Sequence, residues 1–514
     1  MLRAYTAAAV RAAEEPLVAA GAPDALMREA AFALGTAVLG ELRGRGARVP
    51  GSVVLLLVGG GANGGDALYA GVRLAARGAL VHAALCSEQV HAPALAAARR
   101  AGVRVHEVAA AGGLDVGALL DLARRSGVWV DGLAGTGTRG ALREPLAGAV
   151  RALTDELAGS PDEPVVVAVD VPSGIGVDDG ALPGAVLPAT LTVTMGAPKP
   201  GLLLPPAAAS AGRLALVDLG LEAGLGAGEP AVCRLTSADV GDLWPVPVAS
   251  DHKYTRGVLG LLAGSATYPG AAVLAAGGAL GAGLGMVRYL GPREVTTLIH
   301  ARHPEVVPGE GRVQAWAIGS GLDPQDGARA DEARAAVSAA ATDQAPAVLD
   351  AGALALLPER LWPGAVLTPH AGELATLLGT RGHDVTRAEV EAEPLRHSRL
   401  AAGLTGATVL LKGELTVVAG PSGPAYAQDA GPSWLATAGS GDVLTGVLGA
   451  LLAGCADEVA ADGPGGDLPA RLAAAAALVH GRAGDLAARG APTTASGVAA
   501  AVPDVLREIL AGTG

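Results

Sequence analysis

Between Thr437 and Gly446 the chain reads Thr-Ala-Gly-Ser-Gly-Asp-Val-Leu-Thr-Gly, then runs apolar to about Ala453. Small residues let backbone N–H groups come close to an anion. The start of the helix that the apolar run predicts adds roughly half a positive charge there. A phosphate in that place would repel a carboxylate. Asp442 therefore reads as a base, or as a grip on a substrate group, beside a phosphate in transfer. An aspartate is also common at an ordinary helix start, and the loop by itself does not separate the two readings.

A second loop of this kind lies near the other end of the chain. Val53–Val58 is a continuous apolar run, as expected of a buried parallel strand. It enters Gly59-Gly60-Gly61-Ala62-Asn63-Gly64-Gly65-Asp66, with a helix predicted from about Ala67 to Arg77. Strand, glycine-rich loop and helix in that order bind phosphates at the carboxyl edge of an open sheet. The pattern G-x-G-x-x-G occurs at Gly59 and again at Gly135, but no acidic residue follows about twenty positions on to take a ribose. A nicotinamide dehydrogenase is therefore a poor reading. Asn63 and Asp66 are more informative, since either can coordinate an ion or hold a hydroxyl. Two later strand ends carry Asp131-Gly-Leu-Ala-Gly-Thr-Gly and Asp170-Val-Pro-Ser173-Gly. A carboxylate, an amide oxygen and a hydroxyl converging from three strand ends are hard oxygen ligands, suited to an alkali or alkaline-earth cation. Taken singly, each aspartate is equally at home in a turn or cap.

These loops need sheets to carry them. At 514 residues the chain is too long for one core, so two or more domains are expected. Half the residues are apolar but only 2% are aromatic, so the cores must be built from Ala, Val and Leu at close spacing. Residues 1–45 read as two helices. Strand-like runs follow near Ala79–Leu85, Val128–Val130, Val165–Val169, Leu191–Thr194 and Leu214–Val217, with helical stretches between several of them. That alternation predicts a doubly wound α/β sheet. Residues 223–250, rich in Gly, Ala and Pro, read as a linker between a domain at 1–222 and another at 251–514. The second half repeats the pattern, with a strand at Val258–Ala263 and strand ends at Gly319-Ser-Gly321, Asp350-Ala-Gly352 and Thr368-Pro-His370-Ala-Gly-Glu373. Two more strands, Val409–Lys412 and Leu415–Ala419, precede the opening loop. His370 and Lys412 stand at strand ends, where either could serve a ligand or the structure alone. No Walker lysine motif occurs, which excludes a P-loop NTPase.

The net charge of −13, with no basic run, argues against a nucleic-acid surface. Cys86, Cys233 and Cys455 are odd in number and far apart, which fits a reducing compartment. Arg and Glu inside the first apolar stretch do not make a signal peptide. The Ala/Gly-rich run 270–287 lacks the large apolar residues of a membrane span.

Together these pieces resemble the bifunctional NAD(P)H-hydrate repair family, an epimerase joined to a nucleotide-dependent dehydratase, over nearly the whole chain. The epimerase motif Asn-Asn-Gly-Gly-Asp-Gly stands here as Ala62-Asn63-Gly64-Gly65-Asp66-Ala67. The dehydratase pieces are His252-Lys253, Tyr268-Pro-Gly-Ala271, Gly319-Ser320-Gly321 (usually Gly-Pro-Gly), Thr368-Pro-His370, Lys412-Gly413 and Gly439-Ser-Gly-Asp442. The resemblance implies a Rossmann-like first domain and a ribokinase-like second one. It implies that Asn63, Asp131 and Ser173 bind potassium. Ala62, Asn63, Gly64, Gly65 and Asp66 would hold the hydrate with Asp170 and with Gly135, Thr136, Gly137, Thr138, Arg139, Gly140 and Ala141. In the second domain Ala271, Gly321, His370 and Asp442 would contact the hydrate. Lys412, Gly413, Glu414, Leu415, Thr416 and Gly441 would contact the nucleotide. Asp170 and Asp442 are the implied acid/base residues.

Hydration of a reduced nicotinamide leaves a hydroxyl at C6 beside the ring nitrogen. Hydroxide leaves poorly and phosphate well. The expected dehydration therefore transfers phosphate from ADP or ATP, with Mg2+, and the epimerase lets both configurations reach it. NADHX, NADPHX and the nucleotide are the expected partners, with no nucleic acid and no membrane, in a cytoplasmic homo-oligomer. The competing readings are a vitamin or sugar kinase, which would leave a stable phosphorylated product, and a nucleotide-binding scaffold without turnover.

Overall fold

The computed structural model describes residues 1–512 except 23, 111–112, 161–162, 227 and 430. The chain forms two compact units, Arg3–Ala231 and Val232–Gly514, the latter together with Met1–Leu2.

In the first unit seven strands pair in parallel: β1 (Val53–Val58), β2 (Leu80–Leu85), β3 (Arg104–Glu107), β4 (Val128–Gly132), β5 (Val165–Val169), β6 (Leu191–Met195) and β7 (Arg213–Val217). Their order across the sheet is β3-β2-β1-β4-β5-β6-β7. The winding reverses between β1 and β4, and a doubly wound sheet opens a crevice at that point, outside the strands' carboxyl ends. Helix α1 (Ala62–Ala76) leaves β1 there. In register, Val58 pairs with Gly132 and Asp131 with Ala168, so the ends of β1, β4 and β5 share one edge. The two helices expected at the start are Ala7–Ala20 and Ala25–Gly44.

In the second unit the strands are β8 (Val232–Arg234), β9 (Val258–Leu262), β10 (Met286–Tyr289), β11 (Val307–Pro308), β12 (Ala315–Ile318), β13 (Ala347–Leu349), β14 (Ala365–Leu367), β15 (Thr408–Leu411), β16 (Leu415–Ala419) and β17 (Ala425–Asp429). They run β8-β17-β16-β15-β14-β13-β12-β9-β10-β11. All these pairings are parallel except those of β16 with its two neighbours. The helices of this unit include α2 (Pro269–Gly281), α3 (Ala371–Thr380), α4 (Ser440–Gly454), α5 (Leu468–Ala488) and α6 (Ala495–Ala511). The structure takes part of the segment 223–250 into this unit. Val232–Arg234 pairs with β17, Ser237–Leu243 is a helix, and Leu235, Val240 and Trp244 are buried in the core. A three-residue strand has no periodicity of its own, so its Gly- and Pro-rich surroundings mask it. No single helix among the described residues is long and apolar enough to cross a membrane.

With few aromatic rings to fill space, the second core closes by bringing backbones together. A Cβ on Gly446 of α4 would lie 2.0 Å from the Ala275 carbonyl oxygen of α2, and one on Gly278 of α2 would lie 2.4 Å from the Val443 oxygen of α4. Ala272, Ala275, Ala276 and Ala279 fill the same seam against Val443 and Val447. Such a seam fixes α4, and with it the loop at its start. Gly446→Ala is expected to destabilise the second unit by about 1–3 kcal/mol through overpacking. Urea unfolding followed by tryptophan fluorescence reads this, since Trp244, Trp316, Trp362 and Trp434 all belong to that unit.

Candidate active sites

In the first unit the Asn63 side chain is aimed by two backbone carbonyls. Its Nδ2 donates to Val169 O at 2.5 Å and to Ala134 O at 3.4 Å. The amide oxygen then lies against Gly135, where a Cβ would come within 2.4 Å of it. Only glycine fits at 135. Asp131 is fully buried. It accepts from Ser173 N at 2.8 Å, Ser173 Oγ at 2.6 Å and Leu133 N at 3.2 Å. Burial nonetheless pushes its carboxyl up to about 6 against those bonds. No ion pair to Asp131 exists among the described residues. An oxygen-rich pocket holding an uncompensated carboxylate fits a monovalent cation.

Asp170 follows β5 with φ 66°, an uncommon conformation for a residue with a side chain. It accepts hydrogen bonds from Thr194 Oγ1 (3.1 Å), Met195 N (2.9 Å) and Lys199 Nζ. Lys199, 1% exposed, also donates to Met195 O at 3.0 Å. Sequence reasoning missed this lysine. The available signal was a lone cation between two prolines just past a strand end. Asp66 is 8% exposed and its Oδ1 has no partner. Burial first, then the nearby charges of Asp170 and Glu14, raise its carboxyl well above the usual range. Asn63 and the turn from Gly135 to Arg139, with Ala141, line a cleft of about 740 Å³, which Arg11 and Glu14 also border. Ala62 also lines it, whereas Gly64, Gly65, Asp66, Gly140 and Asp170 lie outside that lining. Ala67, which replaces the motif's glycine, is fully buried. Its methyl is accommodated because residue 132 opposite is glycine, where a Cβ would lie 3.0 Å from it.

In the second unit Gly439 caps α4 with φ 90°, and Asp442 lies in the first turn, whose amides have no intrahelical acceptor. Burial, then the charge of Asp350, raises Asp442 to about 6, while the neighbouring Ser320 hydroxyl and the charge of Lys412 oppose this. Lys412 Nζ lies 2.8 Å from Asp350 Oδ1 and 3.9 Å from Glu373 Oε2. A Cβ on Gly441 would be 3.5 Å from that ammonium, so the lysine sits over the loop. Gly321, with φ 68°, abuts the Tyr268–Ala271 turn: a Cβ there would lie 2.6 Å from Ala271 Cβ. Ser320 precedes it, which brings Ala271, Gly321 and Asp442 to one place.

A cleft of about 710 Å³ runs past His370, Lys412, Gly413, Glu414, Thr416 and Gly441. Leu415 is absent from its lining, as alternation along a strand requires. His370 caps α3. Its Nδ1 accepts from Gly372 N at 3.1 Å and Glu373 N at 3.2 Å, and Glu373 answers from the His370 amide at 2.8 Å. Its outer Nε2 lies 3.6 Å from Glu373 Oε2, on the exposed side of the ring. Sequence reasoning also missed His480 of α5. Its Nε2 contacts Ser440 O at 3.0 Å and Ser440 Oγ at 3.2 Å. Burial lowers this imidazole to about 4, so it is neutral at physiological pH and steadies the loop without charge.

The Asp170–Lys199 pair is buried, and removing one partner would leave the other charge unmet. Lys199→Met should destabilise the first unit by about 3–5 kcal/mol, read as a lowered unfolding midpoint at neutral pH.

Comparison with known proteins agrees with this division. The sequence model of the family described as NAD(P)H-hydrate dehydratase matches residues 259–502, and that described as YjeF-related protein N-terminus matches residues 23–201. The "Bifunctional NAD(P)H-hydrate repair enzyme Nnr" of Mycobacterium tuberculosis (strain CDC 1551 / Oshkosh) is 44% identical over 87% of this chain and 89% of its own. The "NAD(P)H-hydrate epimerase" of Clavibacter michiganensis subsp. michiganensis is 45% identical over 42% of this chain and 90% of its own. Among solved structures, the ADP/ATP-dependent NAD(P)H-hydrate dehydratase of Bacillus subtilis, co-crystallized with ATP/Mg2+, is 29% identical. It covers 54% of this chain and 98% of its own, with a TM-score of 0.46.

Proposed function

The chain belongs to the family of bifunctional NAD(P)H-hydrate repair enzymes, and from that membership we propose how its residues divide the work. The first unit epimerises the R and S hydrates of NADH and NADPH. The second dehydrates the S form at the expense of ADP or ATP.

In the second unit the 710 Å³ cleft takes the nucleotide, with Lys412–Thr416 along one wall and Gly441 at the phosphate end. The hydrate lies toward Ala271, Gly321 and His370 Nε2. Asp442 accepts the proton of the C6 hydroxyl as its oxygen attacks the terminal phosphorus. The nucleotide leaves one phosphate shorter, as AMP from ADP. The ring-nitrogen lone pair then expels phosphate, and loss of a proton from C5 restores the C5–C6 double bond. The first-turn amides of α4 and the Lys412 ammonium meet the charge of the moving phosphoryl group. Among the described residues no group of three or more His, Cys, Asp or Glu could hold a metal. A magnesium ion would therefore be carried mainly by phosphate oxygens and water, and it would neutralise phosphate charge there. The observation that carries this reading is Asp442 at the mouth of α4, raised to about 6 and faced by the partly buried Lys412.

In the first unit Asp170, anchored by Lys199, is the acid/base. Asn63, Asp131 and Ser173 would hold potassium, which supplies the positive charge that buried Asp131 lacks. Asp66 and the 135–141 turn grip the hydrate.

The test follows absorbance at the reduced-nicotinamide band with purified R and S hydrates, each with and without nucleotide. Asp442→Ala should lower dehydration by about a hundred- to ten-thousand-fold and leave epimerisation intact. Asp170→Ala should do the reverse. Equal loss of both activities in either variant counts against the assignment, and a stable phosphorylated product would point to a kinase.

A further inference from the structure

Asp350, just past β13, takes no part in the chemical steps proposed for the second unit. It is 2% exposed. Its Oδ1 accepts from Thr368 Oγ1 and Lys412 Nζ, both at 2.8 Å, and its Oδ2 from Ser320 Oγ and Thr445 Oγ1, both at 3.0 Å. Four donors occupy the two oxygens, so little capacity remains for a metal or a substrate. The donors come from four separate places: the turn after β12, the end of β14, the end of β15 and α4. Each is next to a residue with a proposed role. Ser320 adjoins Gly321, Thr368 lies two before His370, and Thr445 is one turn beyond Asp442 on α4. The approach is tight, since a Cβ on Gly319 would fall 1.8 Å from the Asp350 carbonyl oxygen. The Lys412 ammonium, caught on one side by Asp350, lies over Gly441 on the other.

We propose that Asp350 is the positioning residue of the dehydratase site: it holds Lys412 over the phosphate loop and sets a fixed negative charge behind Asp442, so that Asp442 meets the substrate hydroxyl as a base while Lys412 meets the phosphoryl group. This rests on Asp442 being that base. The groups facing Asp442 are Asp350 from the end of β13, Lys412 from the end of β15 with Glu373 of α3 behind it, and the Ser320 hydroxyl. His480 of α5 reaches the loop through Ser440 and is neutral.

The experiment is the pH dependence of kcat/KM for S-hydrate dehydration at saturating nucleotide, in the full chain and two variants. Asp442 works when ionised, so the wild-type rate should fall as pH drops through about 6. Asp350→Asn removes the like charge and frees Lys412 toward Asp442. Both effects favour the carboxylate, so the acid limb should move down by about one unit or more. Lys412→Met removes the opposing cation and leaves Asp350 unneutralised, so the limb should move up. The bound nucleotide's phosphates, which Lys412 also meets, are titrated in each protein by phosphorus NMR, and only the part of the limb shift that they do not share is assigned to Asp442. The kcat of Asp350→Asn should fall about a hundredfold, because a displaced lysine and loop misalign the transfer. A network that only holds the fold together gives no reason for opposite shifts. Limbs at the wild-type position in both variants, or moved the same way in both, overturn the proposal. If Asp350→Asn does not fold, Lys412→Met decides alone, and an unmoved or lowered limb there overturns it. Failure of the underlying reading looks different: Asp442→Ala would retain dehydration.

Discussion

Both sites depend on backbone coming close to something without a Cβ in between. Asn63 is pressed against Gly135, Ala271 against Gly321, and the Asp350 carbonyl against Gly319. Further along α4, Gly446 meets the carbonyl of Ala275 in the same way. These contacts set how far the first turn of α4 can move. A bulkier seam between α2 and α4 would push the loop away from Lys412. The scarcity of aromatic residues is part of the same solution, because Ala and Gly let helices lie where rings would hold them apart.

The close packing has an electrostatic consequence. Each unit pairs a buried carboxylate with a lysine, Asp170 with the buried Lys199 and Asp350 with the partly buried Lys412. Such pairs contribute little net stability, since desolvation offsets most of their attraction. They do fix where charge sits. In the second unit the fixed pair lies beside a third charge, Asp442, whose proton occupancy can respond to it. In the first unit Asp66 and Asp131 occupy similarly dry surroundings, and burial lifts both above an ordinary carboxyl.

Most of the strands were legible because parallel strands buried on both faces read as unbroken apolar runs, Val53–Val58 above all. The loops were legible because a glycine-rich turn and its aspartate are adjacent in sequence, as in Gly439–Asp442 and Asn63–Asp66. The partners of those residues were not. Lys199 lies 29 residues from Asp170, His480 lies 40 from Ser440, and Lys412 lies 62 from Asp350. Sheet order joins them, and no local pattern encodes sheet order. The same cause hid β8, whose pairing partner β17 comes late in the chain, and the short strands β3, β10 and β17. His370 shows the converse. Its type and place suggested ligand chemistry, but half of its ring is spent capping α3.

The Ala67–Gly132 contact links two positions more than sixty residues apart in one shared volume. A Cβ at 132 would meet the Asn63 carbonyl oxygen at 2.7 Å before it met the Ala67 methyl at 3.0 Å or the Leu57 oxygen at 3.1 Å. Returning residue 67 to glycine would therefore not release position 132, because the backbones of α1 and β1 hold it empty. The methyl at 67 occupies room that the neighbouring glycine had already left, and it takes no freedom from β4.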